Sequence, residues 1–413
     1  MNQDVRRVVI TGTGAVTPIG NNTESFWNAL VSGTNGIDQI TRFDTSDQKV
    51  VLGAEVKNFE YPDPREARRL DLFTQFGAVA SNEAFAMSGL VSGGNIRGER
   101  ICAYIGSGIG GIITLEDEVK KESEKGKKYV SPLLIPMIIG NMVAGYVSIL
   151  HGIHGTAMDI VTACACGTHS IGEAWRTIRH GYADAVVAGA SESPFAAVCF
   201  AGFANMKAMN TATDKNRASI PFDKERGGFI MGEGSGLLIL EELEHARARG
   251  AKILAEVVGY GSTSDSHHIT APLESGEFAA AAMQMAIDSA GISHEDVSYI
   301  NAHGTATPLN DAMETVAIKR VFGDAAYKVP VSATKSMTGH LLGAAGAIEA
   351  VICVKAITEG VIPPTINYKE KEDGLDLDYV TDGARKVDVK YAMSNSFGFG
   401  GHNGCVIFKR YEE

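Results

Sequence analysis

The sequence predicts an α/β protein in which one strand-and-helix unit occurs twice. Strand patterns rich in β-branched residues alternate with helical patterns along both halves of the chain. The glycine pattern Phe229-x-x-Gly232 before an apolar strand returns as Phe397-x-x-Gly400 before a similar strand. With 47 glycines and 45% hydrophobic residues among 413, the composition favours tightly packed layers. We therefore expect two packed halves, residues 1–252 and 253–413.

Hydrophobic periodicity and polar start residues define the elements of the first half. A short helix is predicted over 22–30 and a longer one over 71–89. Residues 116–128 are rich in charge and should form a solvated helix face and loop. Strands are predicted over 7–14, 100–105, 158–162, 185–189 and 237–240.

The second half repeats this order of elements. Strands are predicted over 256–263 and 297–301, with a helix over 279–291 between them. A third strand, within 330–336, runs into an Ala/Gly-rich helix over 341–359. Ligands of open α/β sheets bind outside the carboxyl ends of strands. We therefore expect the active site at strand ends, where the two halves meet.

The stretch 132–150 is uncharged and about long enough to span a bilayer. It contains Pro136 and Gly140, and the chain offers no second segment of this kind. These features favour a buried helix over a membrane span. A subunit interface is the place where we expect it.

Charge and cysteine usage narrow the class of protein. The formal net charge of −12 disfavours a general binder of nucleic acid or anionic membranes. The N-terminal residues lack the apolar core of a signal peptide. The six cysteines show no framework spacing, which favours a reducing cytoplasm; they are Cys102, Cys164, Cys166, Cys199, Cys353 and Cys405.

Cys164 is the candidate nucleophile because it lies at a predicted strand-to-helix turn. The helix that follows has an apolar face made of Ile171, Ala174, Trp175 and Ile178. A thiol at a helix N-terminus feels the positive end of the dipole, so we expect a lowered thiol pKa. An ordinary buried cysteine is the alternative on this evidence alone.

A metal site is disfavoured by the local spacing. Cys166 and His169 follow Cys164 closely, but no second pair completes a four-ligand set. We interpret Cys166 as a packing residue and predict no metal in catalysis. The glycines of 106–111 lack the placement of a nucleotide-binding loop, and we expect them beside the substrate pocket.

Three polar clusters follow predicted strands of the second half. They occupy 303–307, 335–340 and 395–403 and contain His303, Lys335 and His340. A cysteine at a sharp turn, two histidines and a lysine together indicate acyl transfer through a thiolate.

These clusters follow Cys164 in the same order as in a known family. The whole chain resembles the β-ketoacyl-[acyl-carrier-protein] synthases, condensing enzymes of the thiolase superfamily. It most resembles their elongating synthase II branch. The resemblance implies a duplicated thiolase-like α/β fold, layered αβαβα with two mixed sheets. The matching motifs are TACA at 162–165, PFD at 221–223, GEG at 232–234, NAHGT at 301–305, TKS at 334–336, GHLLGAAG at 339–346 and NSFGFGGHN at 395–403.

The resemblance implies a decarboxylative Claisen condensation in two half-reactions. Cys164 would accept an acyl chain from acyl carrier protein, with the backbone N–H groups of Cys164 and Phe399 as the oxyanion hole. His303 and His340 would then stabilise the enolate formed when malonyl-acyl carrier protein loses carbon dioxide. The product is a β-ketoacyl chain longer by two carbons. No cofactor is implied, and Lys335 with its acidic partner Glu349 would shape the field of the site.

Further residues match positions that contact the substrate in this family. Thr270, Thr305 and Thr307 match hydroxyls that hold the phosphopantetheine arm. Ile109, Leu134, Phe203 and Phe399 match residues that line or gate the acyl pocket. The family also implies a homodimer and a basic patch for acidic carrier protein. We assign this patch to Arg65, Arg68, Arg69 and Lys207, each with a solvated charge as its alternative.

Several related functions remain alternatives. His340 argues against the initiating synthases, which have asparagine there, whereas synthase I and a polyketide ketosynthase stay open. A non-catalytic chain-length partner would lack Cys164, and a thioesterase suits Lys335 and two histidines less well. Two departures from the usual family pattern, Ala306 and the loop 210–213, remove no catalytic group.

Overall fold

The computed structural model describes residues 5–412. The helices are α1 (Thr23–Val31), α2 (Pro64–Ala67), α3 (Leu72–Ser88), α4 (Ile112–Lys125), α5 (Leu134–Ile138), α6 (Met142–His151), α7 (Cys166–Arg179), α8 (Ala197–Asn205), α9 (Leu243–Ala248), α10 (Glu277–Ala290), α11 (Pro308–Phe322), α12 (Lys335–Thr338) and α13 (Ala345–Glu359). The strands are β1 (Val8–Val16), β2 (Asp38–Gln39), β3 (Leu52–Gly53), β4 (Ile101–Gly106), β5 (Ala157–Met158), β6 (Ala185–Glu192), β7 (Gly234–Glu242), β8 (Ala255–Ser264), β9 (Tyr299–Asn301), β10 (Val331–Ser332), β11 (Val361–Ile362), β12 (Arg385–Lys386), β13 (Tyr391–Gly398) and β14 (His402–Lys409).

Ten strands form a mixed sheet whose two halves have the same internal order. The order is β5-β4-β6-β7-β1 in the first half, followed by β8-β14-β13-β9-β10 in the second. In each half the two inner pairings are antiparallel and the two outer pairings are parallel. The two expected sheets are joined where β1 pairs with β8 over three residues. This repeated order is the duplication that the sequence predicts.

The helices complete five layers. α7 and α13 lie between the two half-sheets, in one core cluster that includes Ile171 from α7, Val351 from α13, Leu238 from β7 and Val406 from β14. α3 and α6 cover the outer face of the first half-sheet, and α10 and α11 cover that of the second. The layered αβαβα arrangement is therefore confirmed.

Helix α3 shows how local sequence sets an element boundary. The Asp71 side chain accepts a hydrogen bond from the Phe73 N–H and caps the first turn. The last turn ends at Gly89, whose φ of 66° lies in the left-handed region that glycine adopts without strain. Both ends agree with the prediction of a helix over 71–89.

The uncharged stretch 132–150 is not one buried helix, so that prediction was wrong. It forms α5 and α6 with a break at residues 139–141, and Ile135 and Ile149 are 60% and 76% exposed. The chain turns at Gly140, where an added Cβ would lie 2.2 Å from a carboxylate oxygen of Asp159. Within residues 5–412, no helix combines the length and apolarity needed to cross a membrane.

The strand predicted over 158–162 is also shorter than expected. Only β5 forms, and the chain leaves the sheet at Asp159, whose side chain accepts from the Ser107 N–H at 2.9 Å. Residues 159–162 then lead as a loop into the turn that carries Cys164.

Candidate active site

Cys164 lies in a 3-10 turn, Ala163–Ala165, directly before α7. The end of β13 packs closely on this turn. A Cβ added to Gly398 would lie 2.6 Å from the Thr162 carbonyl oxygen, so only glycine fits there. The Phe399 N–H and the N–H of Cys164 itself both lie near the Cys164 sulfur, where they lower the pKa of the thiol. Two backbone donors therefore converge where an oxyanion would form.

Two histidines approach the same sulfur. The Nε2 atom of His340 lies 3.1 Å from Cys164 Sγ. The ring centroids of His303 and His340 are 5.4 Å apart, with the ring planes at 85°. One donor atom from each of these three side chains lies within 4.8 Å of the others. Both histidines are buried, and Cys164 is half-buried at the wall of a cavity.

The surroundings of the rings assign their tautomers. The Nδ1 atoms of His303 and His340 are buried and have no hydrogen-bond partner among residues 5–412. A proton on Nδ1 would therefore be a buried donor without an acceptor, which is costly. We assign the proton of each neutral ring to Nε2, the nitrogen that in His340 lies beside the sulfur.

The thiol pKa corrects the expectation drawn from the helix terminus. Burial raises the pKa of Cys164 to about 12, while the positive charge of Lys335 lowers it by less. The negative charge of Glu192 raises it further. Desolvation of the thiolate thus outweighs the nearby cation and backbone donors. In the free protein the Cys164 thiol is therefore neutral near pH 7.

Lys335 forms a buried ion pair with Glu349. Lys335 is 1% exposed. Burial, and next the charge of Lys335, holds the pKa of His303 and of His340 well below its usual value. Both imidazoles are therefore neutral near pH 7.

Above these groups a cavity of about 560 Å³ opens to the surface. Among the substrate-binding residues expected from the sequence, six line it: Ile109, Phe203, Thr270, Thr305, Thr307 and Phe399. Leu134 does not line it within the described chain. The Thr305 and Thr307 hydroxyls are 2.9 Å apart, and the exposed Lys207 also lines the cavity. Arg65, Arg68 and Arg69 are exposed in or just after α2 and do not line it.

Two buried carboxylates hold the site loops and were not singled out from the sequence. Glu314 accepts from the N–H groups of His303 and Gly304, both at 2.8 Å. Glu192 accepts from the Ser107 hydroxyl and from three N–H groups, those of residues 108, 109 and 343. Burial raises the pKa of each carboxyl to about 7. An acidic residue at the end of the apolar run 185–192 was the available signal for Glu192.

Some buried side-chain oxygens of the second half have no hydrogen-bond partner within residues 5–412. Asn301 Oδ1, Ser394 Oγ and Glu349 Oε2 find no partner in the described part of the chain. Asn301 and Ser394 are paired across β9 and β13. Oxygen donors suit alkali or alkaline-earth cations, whereas the sulfur and nitrogen donors of Cys164, His303 and His340 suit softer metals.

The remaining motif residues have structural contacts. Cys166 is buried and its thiol donates to the Ala163 carbonyl, and His169 shares a hydrogen bond with Tyr260. Glu233 pairs with Arg42. The contact of Cys166 agrees with the packing role predicted for it.

Comparison with known proteins gives matches over both halves. The family models for the beta-ketoacyl synthase N-terminal and C-terminal domains match residues 5–246 and 254–369. A 3-oxoacyl-[acyl-carrier-protein] synthase 2 from Synechocystis sp. is 49% identical over 415 residues, covering 100% of both chains. Among solved structures, a beta-ketoacyl synthase from Burkholderia phymatum has a TM-score of 0.91 at 33% identity, covering 98% of this chain and 100% of that one. A type II polyketide ketosynthase, solved in complex with its acyl-carrier protein, has a TM-score of 0.91 at 32% identity, with 99% and 100% covered.

Proposed function

The chain belongs to the β-ketoacyl synthase family, and we propose that Cys164 carries the acyl group of its condensation reaction. The protein is an acyltransferase of fatty-acid elongation. It condenses malonyl-acyl carrier protein with an acyl chain, releases carbon dioxide and forms a β-ketoacyl chain longer by two carbons. Full-length identity of 49% to a synthase 2, against 32% to the polyketide ketosynthase, supports the fatty-acid branch.

In the first half-reaction Cys164 attacks the thioester carbonyl of the incoming acyl chain. The sulfur forms a new thioester, and the thiol of the phosphopantetheine arm leaves with a proton. The N–H groups of Cys164 and Phe399 stabilise the oxyanion of the tetrahedral intermediate. Because the free thiol is neutral, its proton leaves as the carbon–sulfur bond forms.

In the second half-reaction malonyl-acyl carrier protein loses carbon dioxide and becomes an enolate. The Nε2–H groups of His303 and His340 donate hydrogen bonds to the enolate oxygen. The enolate carbon attacks the acyl-Cys164 carbonyl, the carbon–sulfur bond breaks, and the cysteine regains its proton. Lys335 keeps the imidazoles neutral and acts through them. Groups of this chain supply both steps, so we propose that neither step uses a cofactor.

The observation that carries this proposal is the convergence of Cys164, His303 and His340 at one cavity. The sulfur nucleophile, the oxyanion donors and the enolate donors all face one cavity. Thr270, Thr305 and Thr307 also line this cavity. A thioesterase would need an activated water, which this arrangement does not favour over the carbon nucleophile. A non-catalytic chain-length partner would not require a cysteine at position 164.

Intact mass spectrometry tests the assignment. The protein is incubated with acyl-acyl carrier protein, and Cys164→Ala and Cys199→Ala are treated in parallel. We expect an acyl adduct on the wild type and on Cys199→Ala, and none on Cys164→Ala. β-Ketoacyl product should appear only after malonyl-acyl carrier protein is added. An adduct on Cys164→Ala would refute the nucleophile, and free fatty acid without condensation would indicate a thioesterase.

We further propose that the carrier protein docks on Arg65, Arg68, Arg69 and Lys207. All four side chains are exposed, and Lys207 also lines the cavity. A protein of net charge −12 needs such a local patch to attract an acidic partner. A cytoplasmic location is supported by six free cysteines in the described chain.

A homodimer is supported by the edge of the sheet at β5. This strand pairs only with β4 in residues 5–412, which leaves its other edge unpaired. Large apolar side chains are exposed on β5 itself, on α5 and α6, and in the segments that follow α5 and β5: Ile135, Ile139, Ile149, Leu150, Met158 and Val161. An unpaired edge rimmed by apolar residues favours pairing with a second copy.

A further inference from the structure

Cys164, His303 and His340 also have the donor set of a soft-metal site. A thiolate and two neutral imidazoles are the ligands that zinc binds most readily in proteins. The three donor atoms lie within 4.8 Å of one another. They come from three separate elements, so the fold and not a short motif brings them together.

We propose that these three side chains bind zinc, or another soft divalent metal, and that the bound metal reversibly blocks the nucleophile. In a tetrahedral site with Zn–S of about 2.3 Å and Zn–N of about 2.1 Å, neighbouring donors lie about 3.5 Å apart. The distance between His340 Nε2 and Cys164 Sγ is already 3.1 Å. Small side-chain movements therefore suffice to admit the ion.

The surroundings favour this geometry. His303 and His340 are 2% and 3% exposed, and their backbones are held by hydrogen bonds to Glu314 and Ile230. All three side chains line the cavity, which has room for a water molecule as the fourth ligand of a tetrahedral zinc site. The charge of Lys335, which also lowers the pKa of both histidines, opposes a cation. The negative charges of Glu349 and of the Cys164 thiolate that forms on binding oppose this effect.

Metal binding at Cys164 displaces the proton of its thiol. The Cys164 thiol loses its proton to solvent as the zinc–sulfur bond forms. In each ring the proton moves from Nε2 to Nδ1, so that Nε2 presents a lone pair to the metal, and the buried N–H left on Nδ1 is the cost of binding. No electrons are transferred. A thioester sulfur is a poor ligand, so acylation of Cys164 and metal binding exclude each other.

Cobalt and zinc titration of the metal-free protein tests the site. Cobalt(II) should give a sulfur-to-metal charge-transfer absorption at one equivalent, and zinc should remove it. Cys164→Ser should lose this absorption and bind zinc at least tenfold more weakly, whereas Cys199→Ser should match the wild type. His340→Ala should also weaken binding at least tenfold, with circular dichroism confirming that the variant is folded.

Prior acylation of Cys164 should prevent metal binding, and a chelator should restore condensation activity after zinc inhibition. Absence of metal binding at micromolar concentrations, or binding that is unchanged in Cys164→Ser, would overturn the proposal. The inhibitory consequence rests on the proposed function, but the cobalt spectrum does not. If the protein forms no acyl adduct but still shows the sulfur-to-cobalt absorption, the proposed function has failed and the metal site has not.

Discussion

The position of Cys164 in the fold agrees with the prediction from the sequence, whereas the pKa of its thiol does not. Its turn, its helix and the two histidines in order after it could be predicted from local patterns and the resemblance. Its pKa could not, because burial by distant segments outweighs the helix terminus. Desolvation depends on packing across both halves, which a local pattern does not report.

The raised pKa predicts the pH dependence of alkylation at Cys164. With a pKa of about 12, the thiolate fraction rises about tenfold for each pH unit above neutrality. We expect the rate of iodoacetamide modification to rise by the same factor, without a plateau between neutral pH and about pH 9. Intact mass measured over time in a Cys199→Ser background reports Cys164 alone. A plateau below about pH 8 would contradict the prediction.

At the scale of elements, helices α7 and α13 meet through glycines. A Cβ on Gly346 would lie 2.2 Å from Thr168 Oγ1, and one on Gly167 would lie 2.5 Å from the Ala347 nitrogen. The crossing fixes the start of α7, next to the nucleophile turn, against the start of α13. Strand and helix patterns predict both helices, but the approach between them requires the fold.

Substitution of one of these glycines tests the crossing. We expect Gly346→Ala to lower the free energy of unfolding by about 1–3 kcal/mol, because the added methyl group overpacks the contact. Condensation activity should fall as the Cys164 turn shifts. Gly202→Ala is the control, since no atom in residues 5–412 would lie within 4 Å of its Cβ on α8. Urea unfolding should show little change or a gain for Gly202→Ala. Equal effects of the two substitutions would contradict the prediction.

Glu192 joins two loops of the active site. It accepts from the Gly108 and Ile109 N–H groups of the loop after β4 and from the Gly343 N–H before α13. A Cβ on Gly108 or Gly343 would lie 2.9 or 2.7 Å from its carboxylate. A charged residue in a buried strand is visible in the sequence, whereas its four partners are not.

The raised pKa of Glu192 predicts how stability changes with pH. Folding raises this pKa from an ordinary 4.5 to about 7, so between these values the folded state binds more protons than the unfolded state. The contribution of the group is full below about pH 4.5 and is lost as pH rises through about 7. Relative to Glu192→Gln, the wild type should therefore lose stability between pH 5 and pH 8. Urea unfolding of both proteins at several pH values measures this difference, and a constant difference would refute it.

At the scale of the molecule, the duplication places the proposed catalytic groups of the second half against one turn of the first. The alternation of elements predicts this arrangement, and the ten-strand sheet realises it. The stretch 132–150 shows where prediction from the sequence fails, because several of its apolar residues are exposed on the single chain. Composition alone does not distinguish a buried helix from an interface, since both remove apolar surface from water.

The proposed carrier-protein patch predicts a specific kinetic change. Arg68→Glu should raise the KM for acyl-acyl carrier protein several-fold and leave kcat nearly unchanged, because Arg68 is exposed and does not line the cavity. The effect should shrink at high salt, which screens surface charges. Arg410→Glu, whose side chain pairs with Asp388 elsewhere on the surface, is the control. An unchanged KM in Arg68→Glu would exclude this residue from the docking surface.

Because β5 leads directly to the Cys164 turn, we predict that a dimer formed through this strand is required for activity. Ile149 is 76% exposed on α6, which packs beside β5, so a lysine there should fold normally in the single chain. Within a dimer interface the same lysine would be a desolvated, unpaired charge, which strongly opposes association. We expect Ile149→Lys to be monomeric in sedimentation velocity at concentrations where the wild type is a dimer.

Val316→Lys is the matched control, since Val316 is 46% exposed on α11, on the outer layer of the other half. It should remain dimeric and active. The loop 159–162 connects β5 directly to the Cys164 turn, so the monomeric variant should also lose condensation activity and acylate more slowly. A dimeric Ile149→Lys protein would move the interface away from β5. A monomeric protein with full activity would show instead that the turn is held by its own chain, through Gly398 and Glu192.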